Sequence, residues 1–305
     1  MTENTVFRRA AAGIAAALGA ALLLLAGNTH EPQTYGPSIA SWLFRQWTAA
    51  GSRSAHGWII PLFSLFVVWR DRRELLAATR RPAPAALLLI GPALVLYWIG
   101  CRTQQPRLGV LCMIILSWSV PLYLFGMSVA RRLVFPSLFL VLAVPLGFLE
   151  AFTFPLRLAA SAGSASLLNG VGIGVRRMGT AIVATGGHEL WLEVADRCSG
   201  LNSVIAMIAL TAGYAQLTQP TLLRKGLLFL CAVPLAMAGN IVRIFTIGVV
   251  GHTFGMKTAQ QVYHDYSGYI VFATAILLMM AIGSLLNRIA RRLDARCSPP
   301  PQPGT

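Results

Sequence analysis

Charge is what this 305-residue chain has least of: Asp, Glu, Lys and Arg together make up 11% of it, and only 10 residues are acidic. Soluble domains carry about 25% charged residues, so an ordinary water-soluble fold is excluded. Cysteine is also sparse. Cys101, Cys112, Cys198, Cys231 and Cys297 show no CxxC pair and no metal-ligand spacing, which leaves no support for a disulfide framework, a metal centre or any other cofactor. Internal repeats are missing, and with them the inverted repeat that a transporter often carries. Short alternating segments, the mark of a transmembrane β-barrel, do not dominate either.

What the chain has is apolar length. Hydrophobic residues make up 56%, and the mean hydropathy is +0.65. Continuous apolar runs fall at 10–27, 57–69, 85–100, 109–129, 133–151, 199–217, 226–250 and 269–286. Runs near 18 residues or more are those of helices crossing a bilayer. The expected fold is therefore all-α: a polytopic transmembrane helical bundle of about eight spans, forming a single integral-membrane domain over residues 1–290. The first run resembles a signal peptide, with Arg8-Arg9 before an apolar core, but is expected to be retained as a span. The proline-rich end, 291–305, reads as a disordered tail.

The net charge of +15 invites a nucleic-acid reading, but its placement opposes one. The basic residues stand in short clusters beside the apolar runs, such as Arg80-Arg81, Arg131-Arg132, Arg224-Lys225 and Arg291-Arg292. Such placement sets orientation in the membrane and contact with anionic lipid. With the amino terminus inside, the inner segments hold 15 of the 25 basic residues and the outer segments 9, over nearly twice the length. Arg243 is the one left, within a span. Both termini are expected in the cytoplasm. The long outer segment 152–198 opens with PLRLAASAGSASLLNGVGI, which has the spacing of an interfacial helix, and continues into TAIVATGGHELWLEV, which alternates as a short β-hairpin does.

Three polar residues converge at the outer face on this topology. Cys198 ends the long outer segment at the entrance of the sixth span, where unpaired backbone N–H groups and the helix dipole favour a thiolate. Arg243 lies within the seventh span, where a guanidinium costs about 3 kcal/mol even on lenient insertion scales. Snorkelling to the interface is the simpler alternative for it. Asn240 shares its helical face. His264 precedes the eighth span with Asp265 beside it, an imidazole and a carboxylate suited to proton transfer near neutral pH. A thiol, a fixed cation and an imidazole are the parts of an acyl-transfer site. Lining residues of a transporter or flippase-like component, or a non-catalytic scaffold for envelope polysaccharide export, are the competing readings.

At these residues the chain resembles the exosortase/archaeosortase family of membrane-embedded cysteine transpeptidases. The matching elements are ADRCSGLN around Cys198, with Asp196 as the preceding acid; GNIVRI, from Asn240 to Arg243; YHDYSGY around His264; HGWIIPLFSLFVVWRDRREL from His56; and FPSLFLVLAVPL from Phe135. The resemblance implies Cys198 as nucleophile, Arg243 as catalytic arginine and His264 as third member, with Asn240, Asp265 and Asp196 in support. It also implies substrates that are exported proteins with a C-terminal sorting signal: a short motif, a hydrophobic helix and a basic tail. Two departures stand out. The family commonly has Glu-Ala-Cys where this chain has Asp196-Arg197-Cys198, and an arginine where this chain has Asn202.

Overall fold

A computed structural model describes Gly19 and residues 38–49, 55–79, 81–145, 150–185, 191–193 and 201–297. Packing divides the chain into two compact units, residues 1–146 and 147–305.

In the first unit, helix α1 (Ile39–Thr48) starts at Ser38 with a capping box: the Ser38 hydroxyl accepts from the Ser41 amide at 3.1 Å, and the Ser41 hydroxyl accepts from the Ser38 amide at 3.0 Å. A 3-10 turn (Ala55–Trp58) leads into α2 (Ile59–Arg70) and the short α3 (Arg72–Ala77). Gly57 has no side chain for a physical reason. A Cβ there would lie 2.1 Å from the Trp47 indole nitrogen, which instead donates to the Ala143 carbonyl at 3.1 Å. The second 3-10 turn (Pro84–Ala86) opens α4 (Leu87–Arg102), which forms a helical hairpin with α5 (Pro106–Phe125) around buried Ala93, Cys112 and Leu116.

Helix α5 stops at Gly126, whose φ of 84° lies in the left-handed region. A Cβ at Gly126 would fall 1.7 Å from the Arg81 carbonyl oxygen, so backbone fills the space. Helix α6 (Met127–Phe139) then packs on α2, with the Ser64 hydroxyl donating to the Pro136 carbonyl at 3.1 Å. On the exposed edge Arg132 pairs with Glu74.

In the second unit, α7 (Glu150–Gly170) is followed by the antiparallel sheet β1 (Val175–Met178), β2 (Ala181–Ala184) and β3 (Trp191–Glu193), in that order. Helices α8 (Leu201–Thr218), α9 (Leu222–Leu230), α10 (Ala232–Phe254) and α11 (Met256–Cys297) complete it. The break between α9 and α10 at Cys231 follows from Pro234, which lacks the N–H that would bond the Leu230 carbonyl. Helix α10 is central: α7, α8 and α11 all pack against it. One cluster joins Ala160, Ala165 and Leu168 of α7 to Ile244 of α10 and to Val175 and Ile182 of the sheet. A second joins Met207 and Ala215 of α8, Leu228 of α9, Leu235 and Ala236 of α10, and Ala275 and Met279 of α11.

Four segments are long and apolar enough to cross a bilayer: Pro84–Arg102, Pro106–Phe125, Leu222–Phe254 and Gly268–Ile289, with Ile59–Arg70 and Ile205–Thr218 as shorter apolar helices. Their outer faces expose Leu62, Leu88, Trp98, Leu222 and Leu277, a surface that water would penalise and lipid tails would not. The chain is a multi-pass integral membrane protein of all-α class. The expected eight spans are not reached among the described residues. Run 10–27 lies outside them. Run 133–151 is broken where α6 gives way to the 3-10 turn Leu140–Ala143 and Val144 turns extended ahead of Pro145. At the carboxyl end, α11 continues to Cys297, into the stretch expected to be disordered from 291.

The hairpin expected within 180–194 is the β2–β3 pair, with Ile182 opposite Leu192; its Gly186-Gly187 turn lies outside the described residues. Strand β1 was not anticipated. It joins β2 through the two residues Gly179-Thr180, with Met178 opposite Ala181. The Asn169 side chain ties β1 to the end of α7, its amide donating to the Val175 carbonyl at 3.1 Å and its oxygen accepting from the Val175 amide at 2.9 Å.

The segment expected to be interfacial is α7, and it runs lengthwise along α10 in the same direction. Ser164 donates to the Ile241 carbonyl at 3.2 Å, Gly163 abuts the Ile241 side chain, and Leu168 lies against Gly248. Ala160 and Ser164, four residues apart, provide the small-residue stripe that lets two helix backbones come close.

Candidate active site

Arg243 and Asn240 both lie on α10, the helix against which α7, α8 and α11 pack. Arg243 is 7% exposed and Asn240 5% exposed. At 100° per residue they lie about 60° apart on one face of the helix, a turn from each other. A snorkelling arginine would leave its head in the open; this one is packed inside the unit. His252, also on α10, is exposed and nine residues from Arg243, which puts it on the opposite face.

The link to His264 is made by the α10–α11 joint. Phe254 ends one helix and Met256 starts the next, with Gly255 at φ 85° as the only residue between them. A joint this short makes the two helices antiparallel neighbours at equal heights, counted from Gly255. The second core cluster agrees, since it contains both Leu235 and Ala275. Arg243 therefore stands level with Ser267, and position 264 about one turn higher, some 5 Å along the axis.

Helix α8 approaches α10 from the opposite direction. It leaves the cluster at Met207, grouped with Leu235 and Ala236, and its first residue Leu201 lies six positions earlier. Six residues along the antiparallel partner from Ala236 reach Val242, so the start of α8 is level with Arg243. Cys198 and Asp196, just ahead of Leu201, lie outside the described residues. For His264 and Asp265 the described structure extends to the helix that carries them. Cys101, Cys112 and Cys231 are free thiols, and Cys112 is fully buried in a packing role.

One feature was missed at the level of sequence. Beneath Asn240, α7 and α10 leave a small open dent of about 10 Å³, room for about one water, lined by Leu156, Arg157, Ala160, Ala236, Met237 and Asn240. Asn240 Oδ1 is buried and accepts no hydrogen bond among the described residues. The signal for Arg157 was its spacing of three and seven residues from Ala160 and Ser164, which places a cation on the stripe that α7 turns toward α10.

Among known proteins, the family model described as Transmembrane exosortase (Exosortase_EpsH) matches residues 47–281. No curated protein and no solved structure matches the chain.

Proposed function

The chain belongs to the transmembrane exosortase family, and on that premise we propose that it is a membrane-embedded cysteine transpeptidase that cuts C-terminal sorting signals from exported proteins. Residues 1–290 serve as one enzyme domain with both termini in the cytoplasm, and the reacting groups face the exterior. The observation that carries the reading is the buried Arg243 on α10, level with the start of α8 and one turn from position 264 across the Gly255 joint.

In the proposed cycle, the substrate's hydrophobic tail docks from the lipid side. The Cys198 thiolate attacks the scissile carbonyl carbon, and the carbonyl oxygen takes up negative charge beside the Arg243 guanidinium. As the tetrahedral intermediate collapses, the C–N bond breaks and His264 delivers a proton to the departing amine, leaving a thioester on Cys198. The same histidine then removes a proton from the incoming acceptor, an amine or water, which displaces the sulfur. Asn240 orients Arg243 or the substrate backbone, Asp265 orients His264, and Asp196 stands by as the acid ahead of the nucleophile.

The test is a tagged exported protein expressed with Cys198→Ala, Arg243→Ala or His264→Ala. Each variant leaves the substrate uncut while still inserting in the membrane. Complete cleavage by Cys198→Ala ends the proposal. Labelling with a membrane-impermeant thiol reagent separates it from the transporter reading: Cys198 reacts, and does so faster than Cys101.

A further inference from the structure

We propose that the α2–α6 face of the first unit is a lipid-facing wall only about 17 Å tall, which thins the bilayer beside it and favours phospholipids with short acyl chains. The inference concerns the lipid around the chain and stands apart from the transpeptidase reading.

Both ends of the wall carry side chains that belong at a membrane–water boundary. At one end Trp69 is exposed, and the Arg72 guanidinium lies 4.4 Å over its ring and donates to its carbonyl at 2.8 Å. Arg70 pairs with Asp71 there, and Arg132 of α6 pairs with Glu74. At the other end Trp58 packs edge-on against Phe44 at 5.2 Å and beside Trp47 at 5.3 Å, next to the exposed Arg45, Gln46 and Thr48 of α1. The Trp47 bond to the Ala143 carbonyl brings the far end of the α6 segment to the same height. Tryptophan and arginine at the ends of an apolar stretch are interface anchors.

The two ends are close together on both helices. Trp58 to Trp69 is eleven residues of α-helix, about 17 Å. Arg132 to Ala143 is seven residues of α6 and four of the 3-10 turn, about 19 Å at most. The helices are in step: Ser64, midway along α2, donates to the Pro136 carbonyl at 3.1 Å, and the Phe63 ring lies 5.2 Å from that of Phe139. Between the ends, Ile59, Leu62, Leu65 and Phe66 are exposed.

A hydrocarbon core is about 30 Å thick, so the wall falls short by about 12 Å. Tilt enlarges the shortfall, because it lowers the vertical reach of a helix. Snorkelling does not close it: the Arg72 head is laid back on Trp69 and the Arg132 head is held by Glu74. In the same unit α5 runs 20 residues, about 30 Å, so the shortfall belongs to one face and not to the unit as a whole. The two headgroup layers must therefore approach each other along that face.

The experiment uses the full chain in phosphatidylcholine vesicles whose chains are myristoleoyl, oleoyl or erucoyl, in order of increasing thickness. The thermal midpoint is expected to be highest in the myristoleoyl vesicles and about 5 °C lower in the oleoyl ones. Depth is read in oleoyl vesicles with two quenchers, lipid brominated near the glycerol and lipid brominated at the chain terminus. The emission lost on Trp58→Phe and that lost on Trp69→Phe are each expected to be quenched by the first and spared by the second. Should either variant fail to accumulate, the chain-length series still decides, since it needs only the wild-type protein. A midpoint that peaks in oleoyl or erucoyl vesicles, or either tryptophan quenched from the chain terminus, overturns the proposal, because the helix pair then ends within hydrocarbon of ordinary depth. Both tryptophans shielded from both lipids in a chain that runs as a dimer gives the face to a second copy, and overturns it as well.

Discussion

The Ser164 hydroxyl donates a 3.2 Å hydrogen bond to the carbonyl oxygen of Ile241, fastening α7 to α10 between Asn240 and Arg243. The contact is fully buried on the Ser164 side, and the Gly163 backbone lies against the Ile241 side chain. Two helices that approach this closely fix each other's height, so the position of Arg157 follows from that of Arg243.

Ser164→Leu is therefore expected to wedge the pair apart at a cost of about 1–3 kcal/mol. Thermal unfolding in detergent or nanodiscs reads the loss. Ser164→Ala, which keeps the close approach and removes only the hydrogen bond, should cost about 1 kcal/mol. An unchanged midpoint for Ser164→Leu would mean that α7 does not pack on α10.

Gly126 admits no other residue. Its backbone is left-handed, and the Arg81 carbonyl oxygen lies where a Cβ would go. Gly126→Ala is expected to destabilise by more than about 2 kcal/mol and to reduce the yield of monodisperse protein sharply. Gly91→Ala is the control: it is helical with nothing within 4 Å of an added Cβ, and should be neutral or slightly stabilising.

The Trp47 indole bridges two elements that the sequence shares with the family, resting on Gly57 and bonding Ala143. Trp47→Phe removes the donor and should cost about 1 kcal/mol. Gly57→Ala should cost more, since a ring must leave its place. Tryptophan emission and thermal midpoints measured together distinguish the two effects.

If Arg243 stabilises an oxyanion, its planar fork matters as well as its charge. Arg243→Lys is expected to slow reporter cleavage about 10²-fold without preventing insertion. His252→Ala, on the exposed opposite face of the same helix, should leave cleavage within about twofold. Equal losses from the two variants would sink the assignment.

The sequence carried the membrane class through its apolar runs, and the β2–β3 pair through alternation about two glycines. Helix α7 was visible as a helix, but its partner was not. Alanine, glycine and serine at 160, 163 and 164 have little hydrophobic signal, because their contribution is closeness and not apolar area. Strand β1, with Arg176 and Arg177 in four residues, lacks the pattern of a buried strand and is held through Asn169. Among the candidate residues, Arg243 and Asn240 could be singled out because polar groups are conspicuous in an apolar run. Arg157 stood in an outer segment, where a cation is ordinary. Only tertiary packing gives it a place beside Asn240. The breaks after Leu230 and at Val144 were written in Pro234 and Pro145, yet hydropathy averaging smooths over a single proline.

Gly255 has a mechanical consequence. Two helices joined through a single residue have no slack, so neither can slide past the other along the membrane normal. Any gate that admits a lateral guest must then work by splaying the far ends of this clamp or by shifting what leans on it. A spacer of several glycines inserted at that joint would turn the clamp into a loose tether.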